Sequence, residues 1–420
     1  MRRALSICLM LVAAVSLAGC RRSTFWSPDG SKIALDPPSG LYVFNRRTKK
    51  FTTVKTGGAA FNPSWSPDGK SLLYYQISIK DGKLKSLDVA TSAVAGGRQR
   101  IVSSQAVPEQ ARQQAQQNPV LKDPTKAIGL FKTVFKWMLS VDWSPDGKRI
   151  AFLGPVGNKQ GGIIIARPDG SGAHPLVKSK KSQSTPVWSP DGKRIAFLEM
   201  DAKSFTFGGL PGAPSAPGAQ PGQRPQAPAN LVVANADGTG RRVLWDSSQR
   251  DDLWPMAEPV WARNGKEIGI LTVQPAANAK QAFNFDIRLN AWAVPTTGRG
   301  APRKQWPVTT PFAGFGPNLR SIFYLGGAKK QTLVYKTWPF KGSQLFGDLP
   351  ASGGSGGAAG AGALGGLGAL AGGGSSFVLP HPAIAPDGKT VAILAPAPGG
   401  KTVLRLTNIA TKKTTQYPLP

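Results

Sequence analysis

Short apolar runs recur along this chain, and each is opened by the same kind of polar break and preceded by an aromatic or apolar residue. The four clearest copies read WSPDGSKIAL from Trp26, WSPDGKSLLY from Trp65, and WSPDGKRIAFL from both Trp143 and Trp188. Three degenerate copies follow: WARNGKEIGIL from Trp261, FGPNLRSIFYL from Phe315 and IAPDGKTVAIL from Ile384. Their first residues lie 39, 78, 45, 73, 54 and 69 positions apart. A unit of roughly 40 residues that recurs with insertions marks a propeller or a solenoid.

Within a copy the aromatic residue ends one strand and the apolar run begins the next, so the polar break predicts a hairpin turn. Proline at the second turn position sets φ near −65°, aspartate bonds its own backbone, and glycine accepts positive φ. The structural residues on this reading are Trp26, Pro28, Asp29 and Gly30; Trp65, Pro67, Asp68 and Gly69; and Trp143, Pro145, Asp146 and Gly147. Trp188, Pro190, Asp191 and Gly192, and then Pro386, Asp387 and Gly388, repeat the set. A run such as Ile150, Ala151, Phe152 and Leu153 is apolar throughout, which predicts a strand covered on both faces by stacked sheets. Two more strands follow in each unit. They are clearest at Asn230 to Ala234 and Arg242 to Trp245, around the turn Asp237-Gly238-Thr239-Gly240, and at Gly40 to Asn45 and Phe51 to Lys55.

Four strands per unit compose a propeller blade. The aromatic-Ser-Pro-Asp-Gly-Lys hairpin followed by a hydrophobic strand resembles the TolB-type propeller repeat. The expected fold class is all-β, a β-propeller of seven four-stranded blades; the resemblance also admits six or eight. It further implies a role in protein contact in the cell envelope. The extra N-terminal domain of TolB-type proteins has no room between Cys20 and Trp26.

The first residues run from Met1-Arg2-Arg3 through an apolar stretch to Leu17-Ala18-Gly19-Cys20. Basic, apolar and small-residue zones in that order predict a secretory signal over residues 1–19, leaving a propeller over 20–420. The Leu-Ala-Gly-Cys ending resembles the bacterial lipobox, which implies lipidation of Cys20; an ordinary signal peptide and a short membrane anchor are the alternatives. Arg21 in place of aspartate resembles the pattern sent to the outer membrane of diderm bacteria. The expected location is therefore the periplasmic side of the envelope. The chain has two cysteines. With Cys8 removed and Cys20 acylated, no disulfide framework is expected.

Charge adds a partner class. The 420-residue chain carries 52 Lys and Arg against 22 Asp and Glu, a formal net charge of +30. Such a balance favours anionic surfaces such as lipid head groups, acidic glycans or teichoic acid, and equally fits a solvated basic surface. Export and the lack of any nucleic-acid-binding motif argue against nucleic acid.

The insertions map to one face. Residues 105–137 and 341–378 fall in crossings between blades, and residues 201–229 and 273–284 between second and third strands; all of these lie opposite the tight turns. Insertions confined to one face often mark the binding face. The anchor lies on the same side, so the tight-turn face points away from the membrane. That face is expected to form a basic plate of Arg46, Arg47, Lys148, Arg149, Lys193, Arg194, Arg241 and Arg242. Residues 209–228 and 351–375 read as low-complexity loops. Lys126 to Met138 carries an amphipathic stripe that suits either a membrane surface or the protein's own core.

Catalytic material is scarce. Gly353-Gly354-Ser355-Gly356-Gly357 matches the letters of a nucleophile elbow but lies in a Gly/Ala tract without the strand-turn-helix that motif requires. The two histidines, His174 and His381, each precede a proline. The turn aspartates recur once per blade, which suits turn-building better than metal binding. Neither metal nor cofactor is expected. The reading is a non-catalytic, lipid-anchored platform for an envelope protein or anionic polymer. Its alternative is a carbohydrate-active lyase or hydrolase working in the central channel.

Overall fold

Each Ser-Pro-Asp-Gly break folds into a tight turn built by its own side chains. In Ser27, Ser66, Ser144 and Ser189 the hydroxyl donates to the aspartate two residues on, at 2.5–2.6 Å. The same aspartates, Asp29, Asp68, Asp146 and Asp191, accept the backbone N–H of the residue after the glycine at 3.0–3.1 Å. Asp387 does so at 2.9 Å, and Asn264 at 3.0 Å. The turn glycines hold φ between +65° and +72°, from which a Cβ would be excluded. These hydrogen bonds hold the carboxyls of Asp29, Asp68 and Asp146 below their usual range, to about 2 at Asp29.

The computed structural model describes residues 24–37, 39–80, 83–106, 139–156, 160–200, 229–249, 254–255, 258–274, 288–298, 300–308, 313–316, 319–326, 331–337, 343–349, 382–397 and 401–420. Among them the strands form seven antiparallel sheets, each from consecutive strands. Blade one comprises Thr24–Trp26, Lys32–Leu35, Tyr42–Asn45 and Lys50–Thr53, and blade two Ala59–Trp65, Ser71–Lys80, Lys83–Ala93 and Arg100–Ala106. Blade three comprises Val141–Trp143, Ile150–Val156, Gln160–Ala166 and His174–Pro175, and blade four Ser182–Trp188, Arg194–Met200, Ala229–Asn235 and Arg242–Trp245. In blade five the inner edge is split into Trp254–Pro255 and Val260–Trp261, followed by Glu267–Gln274, Arg288–Pro295 and Arg303–Val308. Blade six comprises Ala313–Phe315, Ser321–Gly326, Gln331–Thr337 and Ser343–Leu349, and blade seven Ala383–Ile384, Thr390–Pro396, Thr402–Asn408 and Thr414–Pro418. The fold is an all-β propeller.

The insertions are narrower than the sequence suggests. Ser343–Leu349 is the outer strand of blade six, so the insertion expected over 341–378 cannot begin before it ends. Likewise the outer strand of blade two runs to Ala106, and Glu267–Gln274 takes residues 273 and 274. Sequence pattern misplaces these ends because outer and long strands here are polar enough to read as loop. Residues 1–23, which contain the expected signal and Cys20, lie outside the described residues, as do 107–138, 201–228, 275–287 and 350–381.

Continuous apolar strands are explained by blade stacking. Ile150 and Phe152 pack toward blade two, whereas Ala151 between them packs toward blade four. Ile195 and Phe197 face blade three, and Ala196 and Leu198 face blade five. Alternate side chains thus enter alternate inter-blade cores, and period-2 polarity disappears.

A second device joins the blades where they converge. The basic residue two after the turn glycine reaches the turn of the following blade. Lys32 donates to the Gly69 carbonyl at 3.1 Å, Arg149 to Gly192 at 3.4 Å and Arg194 to Gly265 at 3.0 Å. The same three cations lie over the rings of Trp65, Trp188 and Trp261, at 6.0, 4.7 and 5.0 Å. In return the indole of Trp65 donates to the Phe25 carbonyl at 2.9 Å and that of Trp261 to Val187 at 3.0 Å.

The ring closes without exchanging a strand. Blade seven has Thr390 where a latch cation would stand, and Arg46 from blade one takes its place. It bonds the Gly30 carbonyl at 3.1 Å and the Thr390 hydroxyl at 3.3 Å, and lies 5.1 Å over Trp26. Trp26 in turn donates to the Ala383 carbonyl at 2.9 Å. Behind this contact Ile33, Leu35, Tyr42 and Phe44 pack on Ala392, Leu394, Leu404 and Leu406.

A half-buried cation–π and hydrogen-bond contact of this kind contributes about 1–2 kcal/mol. Arg194→Ala should therefore lower stability by about that amount, whereas Lys193→Ala, exposed beside it, should change it by less than about 0.5 kcal/mol. Urea unfolding of the two variants checks this.

Candidate functional site

The inner strands end at the motif aromatics, so the residues just before each aromatic line the axis of the ring. They enclose a cavity of about 320 Å³ bounded by five blades. Blade one contributes Phe25 and Trp26, blade two Asn62 to Trp65, blade three Ser140 to Asp142, blade four Val187, and blade five Glu258 to Trp261. Prolines shape this rim. Asn62 before Pro63 and Thr185 before Pro186 hold φ of 50° and 55°. The pairing register slips at both places, between Phe61 and Ser64 and between Ser184 and Val187. Such bulges re-aim side chains and cluster near functional sites. In blade five Glu258 and Pro259 stand in the gap between the two pieces of the inner edge.

Asp142 is the polar centre of the cavity. One carboxylate oxygen accepts the Ser64 hydroxyl at 3.2 Å and the Trp143 N–H at 3.0 Å, and the other accepts the Trp188 N–H at 2.8 Å. One side chain thus ties blades two, three and four. It stands where the regular latch is incomplete, because the indole nitrogens of Trp143 and Trp188 have no hydrogen-bond partner. Withdrawal from water pushes the Asp142 carboxyl up to about 7, and the charge of Glu258 adds to that rise. Ser140, only 2% exposed, lines the same cavity, and its hydroxyl has no hydrogen-bond partner. Asn62 completes the rim: its N–H donates to Asp36 at 2.8 Å and its amide to the Leu139 carbonyl.

The expected basic plate divides into two groups. Arg46, Arg149 and Arg194 are the latch cations already described. Arg242 donates to the Thr297 carbonyl of blade five at 3.0 Å, and Arg241 pairs with the buried Glu199. Arg47, Lys148 and Lys193 are exposed. Lys70, Lys266 and Lys389, which occupy the same turn position as Lys148 and Lys193, are exposed too. His174 is exposed, with its ring nitrogen 2.8 Å from the Gly172 carbonyl, and lies far from the inner strands in blade three's outer edge. His381, Ser355 and Cys20 lie outside the described residues. Among the described residues no three His, Cys, Asp or Glu side chains converge as a metal site would require.

The channel residues were legible only as departures from the repeat. The residue before the aromatic is apolar in blades one, four, five and seven, at Phe25, Val187, Val260 and Ala383, but is Ser64 in blade two and Asp142 in blade three. The residue three before it is Asn62, Ser140, Thr185 or Glu258. A polar residue where the repeat calls for an apolar one signals a position facing the axis.

No family model matches the chain, and no curated protein matches it. Among solved structures, the puromycin-hydrolysing peptidase of Mycobacterium tuberculosis is similar to it at 14% identity, with 96% of this chain and 53% of that one covered and a TM-score of 0.52. The β-propeller domain of the Trilobed protease from Pyrococcus furiosus is similar at 8% identity over 92% of this chain and 89% of that one, TM-score 0.48. TolB from Acinetobacter baumannii is similar at 14% identity over 75% of this chain and 60% of that one, TM-score 0.40. The likeness to the peptidase is one of propeller fold, and the chain spans about half of that enzyme's length.

Proposed function

We propose that this chain is a non-catalytic, lipid-anchored β-propeller of a bacterial cell envelope, held by Cys20, that serves as an interaction platform for an envelope protein or an anionic polymer. One observation carries the reading. Lys70, Lys148, Lys193, Lys266 and Lys389 stand exposed at one equivalent position in five blades, the residue after the turn glycine. The fold repeats an outward charge around the ring, while the cations one position further on in two of these units, Arg149 and Arg194, turn into inter-blade contacts. A repeated array of like charge on one face favours a partner with repeated opposite charge.

A second reading, a carbohydrate-active lyase or hydrolase, is favoured by Asp142. A carboxyl brought near neutrality is what a general acid or base needs. The described lining offers it carboxylates and hydroxyls but neither arginine nor tyrosine. Release of new chain ends from acidic glycans, abolished by Asp142→Asn, would overturn the non-catalytic reading.

Changing Lys70, Lys148, Lys193 and Lys389 together to glutamine should weaken binding of a fluorescent acidic polysaccharide at low salt by at least about tenfold and flatten its salt dependence. Anisotropy titrations measure both, and unchanged binding contradicts the plate. Cys20→Ser should move the chain from the membrane to the soluble fraction of lysed cells.

Asp142 makes a prediction about stability. Its carboxyl lies near 7 in the fold against 3.8 for the free group, so folding takes up a proton between those values. Its contribution is fully present below the lower value and is lost as pH rises through the higher one. Asp142→Asn should therefore gain stability relative to wild type as pH rises from about 6 to 8. A difference between the two that stays constant with pH in urea unfolding contradicts this.

A further inference from the structure

The channel inverts the charge of the molecule that surrounds it. In a chain with 52 basic and 22 acidic residues, the described lining of the cavity holds Asp142 and Glu258 and, among the described residues, no lysine or arginine. All the hydrogen-bond donors to Asp142 are uncharged: a serine hydroxyl and two backbone N–H groups. The carboxylate therefore has its geometry fixed but its charge unanswered.

Two further features limit what could answer it. Ser140 is a lining residue of the cavity, only 2% exposed, and its buried hydroxyl has no hydrogen-bond partner. Burying such a group without a partner costs about 1–3 kcal/mol, so a ligand that bonds it has a ready gain. The apolar part of the wall includes Phe25, Trp26, Trp65, Val187, Val260 and Trp261, and Asn62 and Ser64 add polar groups beside it. A volume of about 320 Å³ is some tenfold the share of one water in the liquid, large for a bare ion and suited to a small organic molecule.

We propose that the channel binds an organic ammonium group: a protonated amine on an apolar body, with its nitrogen between Asp142, Glu258 and the Ser140 hydroxyl and its body against the tryptophan and valine wall. An inorganic divalent cation fits less well, because it demands a cage of charged or carbonyl oxygens and no three acidic, histidine or cysteine side chains converge among the described residues. The ammonium supplies three donors to two carboxylates and a hydroxyl. Its source is either a free small amine or the amino terminus of a partner chain. This site is independent of the polymer plate, which lies at the tight turns.

Occupancy also resolves the electrostatics. Asp142 faces Glu258 from blade five, while Phe25 and Trp26, Asn62 and Ser64, and Val187 from blades one, two and four bring no charge to the cavity. A cation between the two carboxyls favours ionised Asp142, so binding should strengthen as pH rises from about 6 to 8.

Calorimetric titration of the purified full chain tests this with three probes: benzylamine, benzyl alcohol as its uncharged counterpart, and a tetrapeptide with a free amino-terminal phenylalanine. Benzylamine or the peptide should bind, benzylamine more tightly at pH 8 than at pH 6 because it stays protonated over that range, and benzyl alcohol should not. Whichever amine binds more tightly identifies the source. Asp142→Asn and Glu258→Gln should each weaken binding by at least about tenfold, as loss of one partner of a desolvated charge pair does. Glu258 is half-buried in the gap of a split strand, so its variant tests the site without challenging the fold. Equal binding of benzyl alcohol, no binding of either amine, no effect of Glu258→Gln, or calcium chloride binding more tightly than benzylamine would each overturn the proposal.

Discussion

Everything in this molecule depends on closing a ring of sheets whose first and last members share no strand. Each blade is built from consecutive strands, so blade seven meets blade one without a shared strand ladder. Apolar burial supplies most of the cohesion, but burial is non-directional and does not fix the angle between neighbouring blades. Direction comes from the convergent inner edges, where an indole N–H of one blade meets a carbonyl of the preceding one and a cation of that blade covers the indole. At the seam the repeat lacks its cation, and Arg46 reaches in from another turn to supply it. The substitution of a different residue in the same geometric role shows that the contact, not the sequence position, is what the fold requires.

The same constraint leads to the channel. A propeller must set its inner strands around an axis, and whatever stands just before each motif aromatic faces that axis. In blades one, four, five and seven these positions are apolar, and the indole meets a carbonyl of the preceding blade at Trp26, Trp65 and Trp261. In blades two to four the indole contacts are missing at Trp143 and Trp188, and Asp142 bridges the three blades instead. A structural tie made by a carboxylate carries a charge that a backbone carbonyl does not, and beside Glu258 that charge is hard to sustain. Architecture and candidate chemistry thus meet in one side chain.

Much of this was legible beforehand. Turn chemistry is local, so Ser-Pro-Asp-Gly announced its hairpins, and a unit of four strands announced blades. Strand Ile150 to Leu153 read as doubly covered, and Ala151 facing one neighbour while Phe152 faces the other is the physical meaning of that pattern. What stayed hidden was long-range. Nothing adjacent in sequence says that Arg46 serves Trp26, or that Arg149 and Arg194 turn inward while Lys148 and Lys193 stay outward. The strand Ser343–Leu349 resembles an insertion in sequence because an outer edge needs no apolar face. Asp142 is hidden in the sequence because the copies are recognised by what they share, and it stands where they differ.

The latch at the seam is open to direct measurement by a double-mutant cycle joining Arg46→Met and Trp26→Phe, with stability from urea unfolding of wild type, both single variants and the double. If the cation over the indole helps close the ring, the two changes should couple by about 0.5–1.5 kcal/mol. Strictly additive effects would mean that apolar packing alone closes the propeller, and that the polar contacts along the inner edges merely accompany it.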